Sequence, residues 1–522
     1  MPAARQRPVG ARHGKGKPVS LPLLRTATLR HLEAQAIAAL PPGTLMDRAG
    51  AAVASAAARR ARERPRGAPI HLLVGPGNNG GDALIAGLRL HQWGFPVRAW
   101  LLATVMPEAS DARRARQHWL AAGLPMNRLA EFPTALNAAP APALVIDGLF
   151  GIGLTRALDA TARAAIAAIR AAGVYVLAID LPSGLDADTG EVVGGDPLGV
   201  LRADLTLSLL ADKPGLRTGQ GPGLSGEVRV DPLGVQGPTP PDGLLLDADM
   251  ARSLMRPRPV VSHKGSFGGV LVIGGAPGLQ GAAVLAGSAA QAIGAGKVWL
   301  ACPEGLSLAA SAPQLMSRAF DAPADDVEAT VIGCGLGTSP AASARLGLAL
   351  ARSRACVVDA DALNLIAADP ALGHALAARS GSIVLTPHPL EAARLLGGTT
   401  ATVQSDRLTA ALRLADQHRS VVLLKGAGTI IACADGRWAI NTTGSAALAT
   451  GGTGDVLAGL VGGLLAQGYP AWEAACLGAW LHGRAADLWR MTHPHGAGLN
   501  PALLPALLPG AWPAPEDSHD PH

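Results

Sequence analysis

The chain has 522 residues, a formal net charge of +5, and 49% hydrophobic against 16% charged residues. That composition excludes a disordered polymer, and at roughly 150 residues per domain it predicts two to four packed domains. Much of the basic excess precedes residue 20, and no basic stripe is interleaved with stacking aromatics, which excludes a nucleic-acid footprint.

With 2 Tyr and 5 Phe, packing must rest on Ala, Leu, Val and Gly. No apolar run reaches the ~18–20 uncharged residues of a membrane span without a Gly or Pro interruption. Residues 1–20 are rich in Arg, Lys and Pro and lack an apolar segment, so they read as a basic flexible extension rather than a secretory signal. A transit peptide is the alternative, since the segment carries no acid. The cysteines Cys302, Cys334, Cys356, Cys433 and Cys476 are widely spaced. They form no C-x-x-C pair and no disulfide framework, so buried thiols in a reducing, cytoplasmic setting are expected.

In chain order, strand-like runs fall at residues 70–74, 97–102, 143–146, 174–179 and 205–210, with helical patterns at 83–93, 112–122 and 161–172 between them. Such alternation predicts βαβ units and a parallel sheet. Residues 214–241 are dense in Gly and Pro and read as loops, short strands and a linker. A second series follows at 270–273, 298–301, 330–332, 356–358, 383–385 and 421–424. The tail after His493 is Pro-rich and is expected to be mobile. The fold class is therefore α/β in two unlike halves: a Rossmann-like three-layer αβα domain over residues 21–235, a second α/β domain over 245–510, and a tail at 511–522.

The first half carries three loops that follow strands. Gly75-Pro76-Gly77-Asn78-Asn79-Gly80-Gly81-Asp82 places G-x-G-x-x-G between a strand and a helix, the context of a phosphate-cradling turn. A hydride-transfer domain also needs an acid about 20 residues on, at the end of the next strand. That strand ends in Ala103-Thr104, which argues against dinucleotide redox chemistry. Asp147 to Arg156 supplies an acid, a Gly-rich turn and a cation, and Asp180-Leu181-Pro182-Ser183 supplies a carboxylate directly after a strand. Because parallel strands open their carboxyl ends onto one edge, Asn79, Asp147, Asp180 and Ser183 could converge there as oxygen ligands for a hard cation. Each Asp could instead simply cap its loop.

The second half carries two anion-type loops. Lys425-Gly426-Ala427-Gly428-Thr429 follows a buried run and offers a cation, two glycines and a hydroxyl, without being a Walker A loop. Gly451-Gly452-Thr453-Gly454-Asp455 then delivers one carboxylate to the start of an apolar helix. Unpaired amides at a helix start can hold a phosphoryl group while an acid among them takes a proton from an alcohol. A plain helix cap is the competing reading of Asp455.

Together these strings resemble the bifunctional NAD(P)H-hydrate repair enzymes, an epimerase domain joined to an ADP- or ATP-dependent dehydratase of ribokinase-like fold. The likeness runs from about Leu29 to about Leu488. It rests on the loops above and on His263-Lys264-Gly265-Ser266-Phe267-Gly268 and Thr386-Pro387-His388-Pro389. It implies epimerisation of R and S hydrates of NADH and NADPH in the first half. In the second, the S form would be phosphorylated at its C6 hydroxyl and phosphate eliminated, with ADP as co-substrate and AMP as product.

Residue by residue, the resemblance places potassium at Asn79, Asp147 and Ser183. It places the epimerase substrate at Asn78, Asn79, Gly80, Gly81, Asp82, Gly151, Ile152, Gly153, Leu154, Thr155, Arg156, Ala157 and Asp180. The dehydratase substrate falls at Ala282, Gly335, Gly337, His388 and Asp455, and the nucleotide at Lys425, Gly426, Ala427, Gly428, Thr429 and Gly454. Magnesium would bridge nucleotide oxygens, Asp455 would be the general base, and Asp180 the catalytic carboxylate of the epimerase. A homo-oligomer acting on small molecules, without nucleic acid or membrane, is implied as well.

The chain departs from the family pattern at Cys334, where proline is common, at residues 443–447, and at Ala83 and Ala162. Without the resemblance, His388 between two prolines would read as a rigid loop residue. The pairs His493/His495 and His519/His522 would read as tail histidines rather than a metal site. Two other readings remain. One is a ribokinase-like small-molecule (vitamin) kinase with an N-terminal ligand-binding regulatory domain, and the other is a first half that only binds.

Overall fold

Short apolar runs without polar alternation suit strands covered on both faces. In the computed structural model, which describes residues 21–103, 110–138, 141–304 and 312–513, every such run forms a strand with ends shifted by at most two residues. The first sheet has seven strands in the order Met126–Arg128, Val97–Leu101, Ile70–Val74, Leu144–Gly148, Val176–Ile179, Leu205–Leu209, Glu227–Asp231, all paired in parallel. Along Leu144–Gly148 the side chains alternate faces: Leu144 and Ile146 enter one apolar layer, Val145 the other. The order reverses between Ile70–Val74 and Leu144–Gly148, so the crevice for a ligand lies beyond their carboxyl ends. There the two loops meet closely: a Cβ on Gly75 would stand 1.7 Å from the Leu149 carbonyl oxygen.

The second sheet has eleven strands. From Met316–Arg318 through Lys297–Ala301, Gly269–Ile273, Ala329–Ile332, Ala355–Val358 and Ser382–Leu385 to Val421–Leu424 the pairing is parallel. Beyond it comes the antiparallel pair Ile430–Cys433 and Trp438–Asn441. Its order reverses between Gly269–Ile273 and Ala329–Ile332, and Gly275 and Ala276 donate backbone N–H bonds to the Cys334 and Gly335 carbonyls across that point. The helix Thr453–Ala466 packs backbone-close on Gln280–Ala292: a Cβ on Gly459 would sit 2.0 Å from the Ala286 carbonyl oxygen. That contact fixes where the start of the Thr453–Ala466 helix points.

Two features were not anticipated. The strand Pro22–Leu23 pairs antiparallel with Gly243–Leu246 and so joins the second sheet rather than the first. The expectation of a mobile tail after His493 is corrected: Leu504–Ala511 is a helix that buries Leu504, Leu508 and Ala511 in the second core. That i, i+4, i+7 stripe outweighs the prolines, of which Pro505 falls in the first helical turn, where Pro is tolerated, and Pro509 lies inside the helix. Among the described residues no helix is long and apolar enough to cross a membrane, and all five cysteines are buried and free. His519 and His522 lie outside the described residues.

Candidate active sites

At the crevice of the first sheet a cavity of about 460 Å³ is lined by Asn78, Asn79, Asp82, Asp180, Lys213 and residues 149–154, with Glu33 and Met46 from the helices before the sheet. Asp180 follows strand Val176–Ile179 in a left-handed backbone conformation, φ 70°. Left-handed backbone is uncommon outside glycine, Asp and Asn being the residues that enter it most readily, and such positions cluster at functional sites. Its Oδ1 receives the Lys213 ammonium at 2.6 Å and the Leu209 amide at 3.1 Å. The Lys213 head is buried and also donates to Ser208 Oγ and to the Leu209 and Ala211 carbonyls. Oδ2 faces Gly151: a Cβ there would lie 3.4 Å from Asn79 Oδ1 and 3.6 Å from Asp180 Oδ2, so the glycine leaves both oxygens open to the cavity.

Two more acids share this cavity. Burial, followed by the Asp180 charge, raises both Asp82 and Glu33, Asp82 well above the ordinary carboxylate range. Asp147 is fully buried behind the cavity. It accepts from Ser183 N at 2.8 Å, Ser183 Oγ at 2.7 Å and Leu149 N at 3.2 Å. Burial raises its pKa against those three bonds, and among the described residues no basic side chain forms a salt bridge with it. Asn79 donates to the Ile179 carbonyl at 3.2 Å. Of the residues expected around the substrate, Thr155, Arg156 and Ala157 are exposed and absent from the cavity wall. Gly80 and Gly81 are buried behind it, where a Cβ on Gly81 would strike Met46.

The second group gathers at the start of helix Thr453–Ala466. Its N-cap is Gly452, φ 96°, and no side chain caps it. Asp455 therefore sits in the first turn without acting as a cap, which removes the competing reading. Burial and then the Asp359 charge raise its pKa to about 6, against a Cys334 thiol hydrogen bond and Lys425. Cys334, Asp359 and Asp455 bring a sulfur and two carboxylate oxygens within 4.8 Å of one another.

Lys425 lies beside this group. Its Nζ is 2.8 Å from Asp359 Oδ1 and 3.9 Å from Glu391 Oε2. Burial pulls its pKa down, but Asp359 and Glu391 outweigh that and the net shift is upward. A Cβ on Gly454 would come 3.3 Å from Lys425 Nζ, so a bare backbone faces the ammonium.

His388 is no passive loop residue. Its Nδ1 accepts from the Leu390 and Glu391 amides and caps Pro389–Leu396, leaving Nε2 to donate to Glu391 Oε1 at 3.3 Å. Burial and Lys425 lower its pKa. Gly335 packs against Leu279 and Ala282, and the Gly337 amide donates to Asp361 Oδ2 at 2.8 Å. The tail histidine His493 instead stacks on Trp489.

Sequence reasoning missed Lys213, Glu33, Asp359, Asp361 and Glu391. Asp359 carried a usable signal, an acid directly after a buried strand, the same one that singled out Asp180; Asp361 opens the helix that follows, and Ala360 between them has φ 49°. Glu33 carried none, because it lies on the helix Thr26–Ala39, remote in sequence from the sheet it faces.

The chain matches two family models: residues 42–215 the one described as YjeF-related protein N-terminus, and residues 270–509 the one described as NAD(P)H-hydrate dehydratase. A bifunctional NAD(P)H-hydrate repair enzyme of Moorella thermoacetica is 37% identical over 482 residues, 86% of this chain and 88% of that protein. An ADP-dependent (S)-NAD(P)H-hydrate dehydratase of Neisseria meningitidis serogroup B is 46% identical over 245 residues, 46% of this chain and 82% of that protein. A crystal structure of the ADP/ATP-dependent NAD(P)H-hydrate dehydratase from Bacillus subtilis, co-crystallised with ATP and Mg2+, is 30% identical. It covers 51% of this chain and 97% of its own, with a TM-score of 0.45.

Proposed function

We infer that this chain, which belongs to the bifunctional NAD(P)H-hydrate repair enzymes, divides its two reactions between Asp180 and Asp455. It interconverts the R and S hydrates of NADH and NADPH and dehydrates the S form at the expense of ADP, giving AMP and phosphate. The observation that carries the assignment is Asp455, uncapping and half-buried at a helix start, beside the Lys425–Asp359 pair.

In the dehydratase, Asp455 takes the proton of the C6 hydroxyl as its oxygen bonds the terminal phosphorus of ADP and the bond to AMP breaks. Lys425 and the amides of Gly454 and Asp455 hold the charge that moves with the phosphoryl group. Loss of a ring proton and of phosphate then restores the dihydropyridine. Magnesium, arriving with the nucleotide, would neutralise its phosphates. Asp359 would be its hard donor here. Cys334 does not suit it, since a thiol is a soft donor and magnesium takes oxygen ligands.

In the epimerase, Asp180 takes the proton of the same hydroxyl through the oxygen that faces the cavity as the C6–N1 bond opens, leaving an aldehyde at C6 and a proton taken up at N1; closure of N1 onto the other face of the aldehyde and return of the protons invert C6. Asn79, Asp147 and Ser183 suit potassium: all are hard oxygen donors, and Asp147 is a buried carboxylate with no basic partner among the described residues. Replacing potassium with tetramethylammonium is expected to slow epimerisation several-fold and lower the thermal midpoint, leaving dehydration of pure S hydrate unchanged. An unchanged epimerisation rate would remove the ion. With Pro22–Leu23 set apart as a strand of the second sheet, the domain limits expected from sequence, the cytoplasmic setting and a homo-oligomer complete the reading, the last checked by light scattering.

The test is mixed R and S NADH hydrate given ADP or ATP in turn, followed by absorbance and nucleotide analysis. Full recovery of NADH with stoichiometric AMP is expected from ADP. A stable phosphorylated product without NADH would instead favour the small-molecule kinase. The pH profile adds a second check. A base works only when deprotonated, so kcat/KM for dehydration is expected to fall tenfold per unit as pH drops below about 6, where Asp455 takes up its proton. A profile flat down to pH 5 would count against Asp455 as the base.

A further inference from the structure

The nucleotide-type loop, residues 425–429, is not held by its own domain alone. From beneath, Arg407, 2% exposed, donates Nη2 to the Leu424 and Lys425 carbonyls at 3.3 and 3.2 Å, and Nη1 to Gln404 Oε1 at 2.7 Å. Its Nε donates at 3.0 Å to the hydroxyl of Thr218, a residue of the first half. That hydroxyl in turn points its proton at the Gly428 and Ala427 carbonyls, at 3.0 and 3.3 Å. The shared donor role engages its only proton and the acceptor role one of its two lone pairs. The approach is close: a Cβ on Gly428, φ 61°, would lie 1.8 Å from the Arg217 carbonyl oxygen. On Gly426 it would lie 2.8 Å from the Arg407 guanidinium. Beside Ala427 a cavity of about 350 Å³ is walled by both halves, with Glu191 and Gln220 from the first and Gln404 and Arg407 from the second.

We propose that Thr218 is a positioning residue for the dehydratase's nucleotide: through Arg407 and the Ala427 and Gly428 carbonyls it sets the loop so that its amides and Lys425 meet ADP. The first half thus completes the nucleotide site of the second. The segment that does so is short. Pro214–Arg217 is a single helical turn with Lys213, the partner of Asp180, at its other end. Lys213 is separately fixed by Ser208, Leu209 and Ala211, so losing the Thr218 hydroxyl need not move it. The Arg407–Thr218 bond is fully buried, and removing its acceptor leaves a charged donor and two carbonyls unmatched.

The proposal rests on the ADP-dependent reading, and the test separates the two. In the full-length enzyme, Thr218→Val and the smaller Thr218→Ala are compared with Thr218→Ser for ADP KM, kcat and epimerisation, and for ADP affinity by calorimetry. Val and Ala are expected to raise KM and Kd for ADP about tenfold, with kcat and epimerisation within twofold of the wild type, and Ser to restore ADP affinity to within twofold. ADP affinity unchanged in a folded Val or Ala variant, or a Ser variant as weak as Val, overturns the proposal. If the wild type binds ADP but turns none over, the functional reading fails while the affinities still decide the role of Thr218. A wild type that binds no ADP sinks both.

Discussion

Replacing Asp455 with Asn is expected to cut ADP-dependent dehydration by about 10²- to 10⁴-fold, the range a lost general base carries, while epimerisation proceeds at the wild-type rate. Asn has the shape of Asp and the position makes no capping bond, so the helix Thr453–Ala466 loses only the favourable charge of a carboxylate in its first turn, about 0.3–1 kcal/mol. What disappears is the proton acceptor. Removing its charge also relieves repulsion with Asp359, which is one cause of the raised Asp455 pKa, so ADP should bind at least as well as before. The signature is therefore a fall in kcat with ADP KM unchanged or lower, measured by NADH absorbance against a nucleotide titration. A variant retaining a tenth or more of wild-type dehydration would show that Asp455 is not the base, and attention would pass to Asp359.

The part of this site that could be read beforehand had a local cause. A Gly-rich turn before an apolar run announces a helix start, and a buried run ending in Asp announces a carboxylate at a sheet edge. Those signals placed Asp147, Asp180, Lys425 and Asp455 within a few residues of their elements. They are properties of consecutive residues.

The partners of these groups are not. Lys213 reaches Asp180 from 33 residues away, as 213 less 180, and Glu391 reaches Lys425 across 34, as 425 less 391. Nothing in either segment's own pattern marks it. The registry of Pro22–Leu23 was equally hidden, because two residues cannot display a period and the pairing depends on a strand more than 200 positions downstream. Thr218 shows the same limit most clearly. In a stretch that reads as Gly- and Pro-rich linker, it looks like any turn residue until the other half of the chain is folded against it.

Replacing Asp180 with Asn is expected to have the mirror-image effect: epimerisation falls by about 10²-fold or more, while dehydration of pure S hydrate is kept. The substitution also carries a stability cost that must be separated from catalysis. Lys213 is 1% exposed, and removing the carboxylate leaves its ammonium with neutral acceptors only, which destabilises a buried pair by about 3–5 kcal/mol. The backbone contributes little to that cost, because Asn, like Asp, tolerates the left-handed φ of 70° at this position. The double variant Asp180→Asn with Lys213→Met removes the orphaned charge and should recover most of the lost thermal stability. It should recover none of the epimerisation. If activity returned together with stability, Asp180 would be serving only to neutralise Lys213, and the proton would have to move through Asp82 or Glu33, the remaining acids of the cavity. If neither returned, the Lys213 ammonium would itself be needed to hold the loop after Leu209.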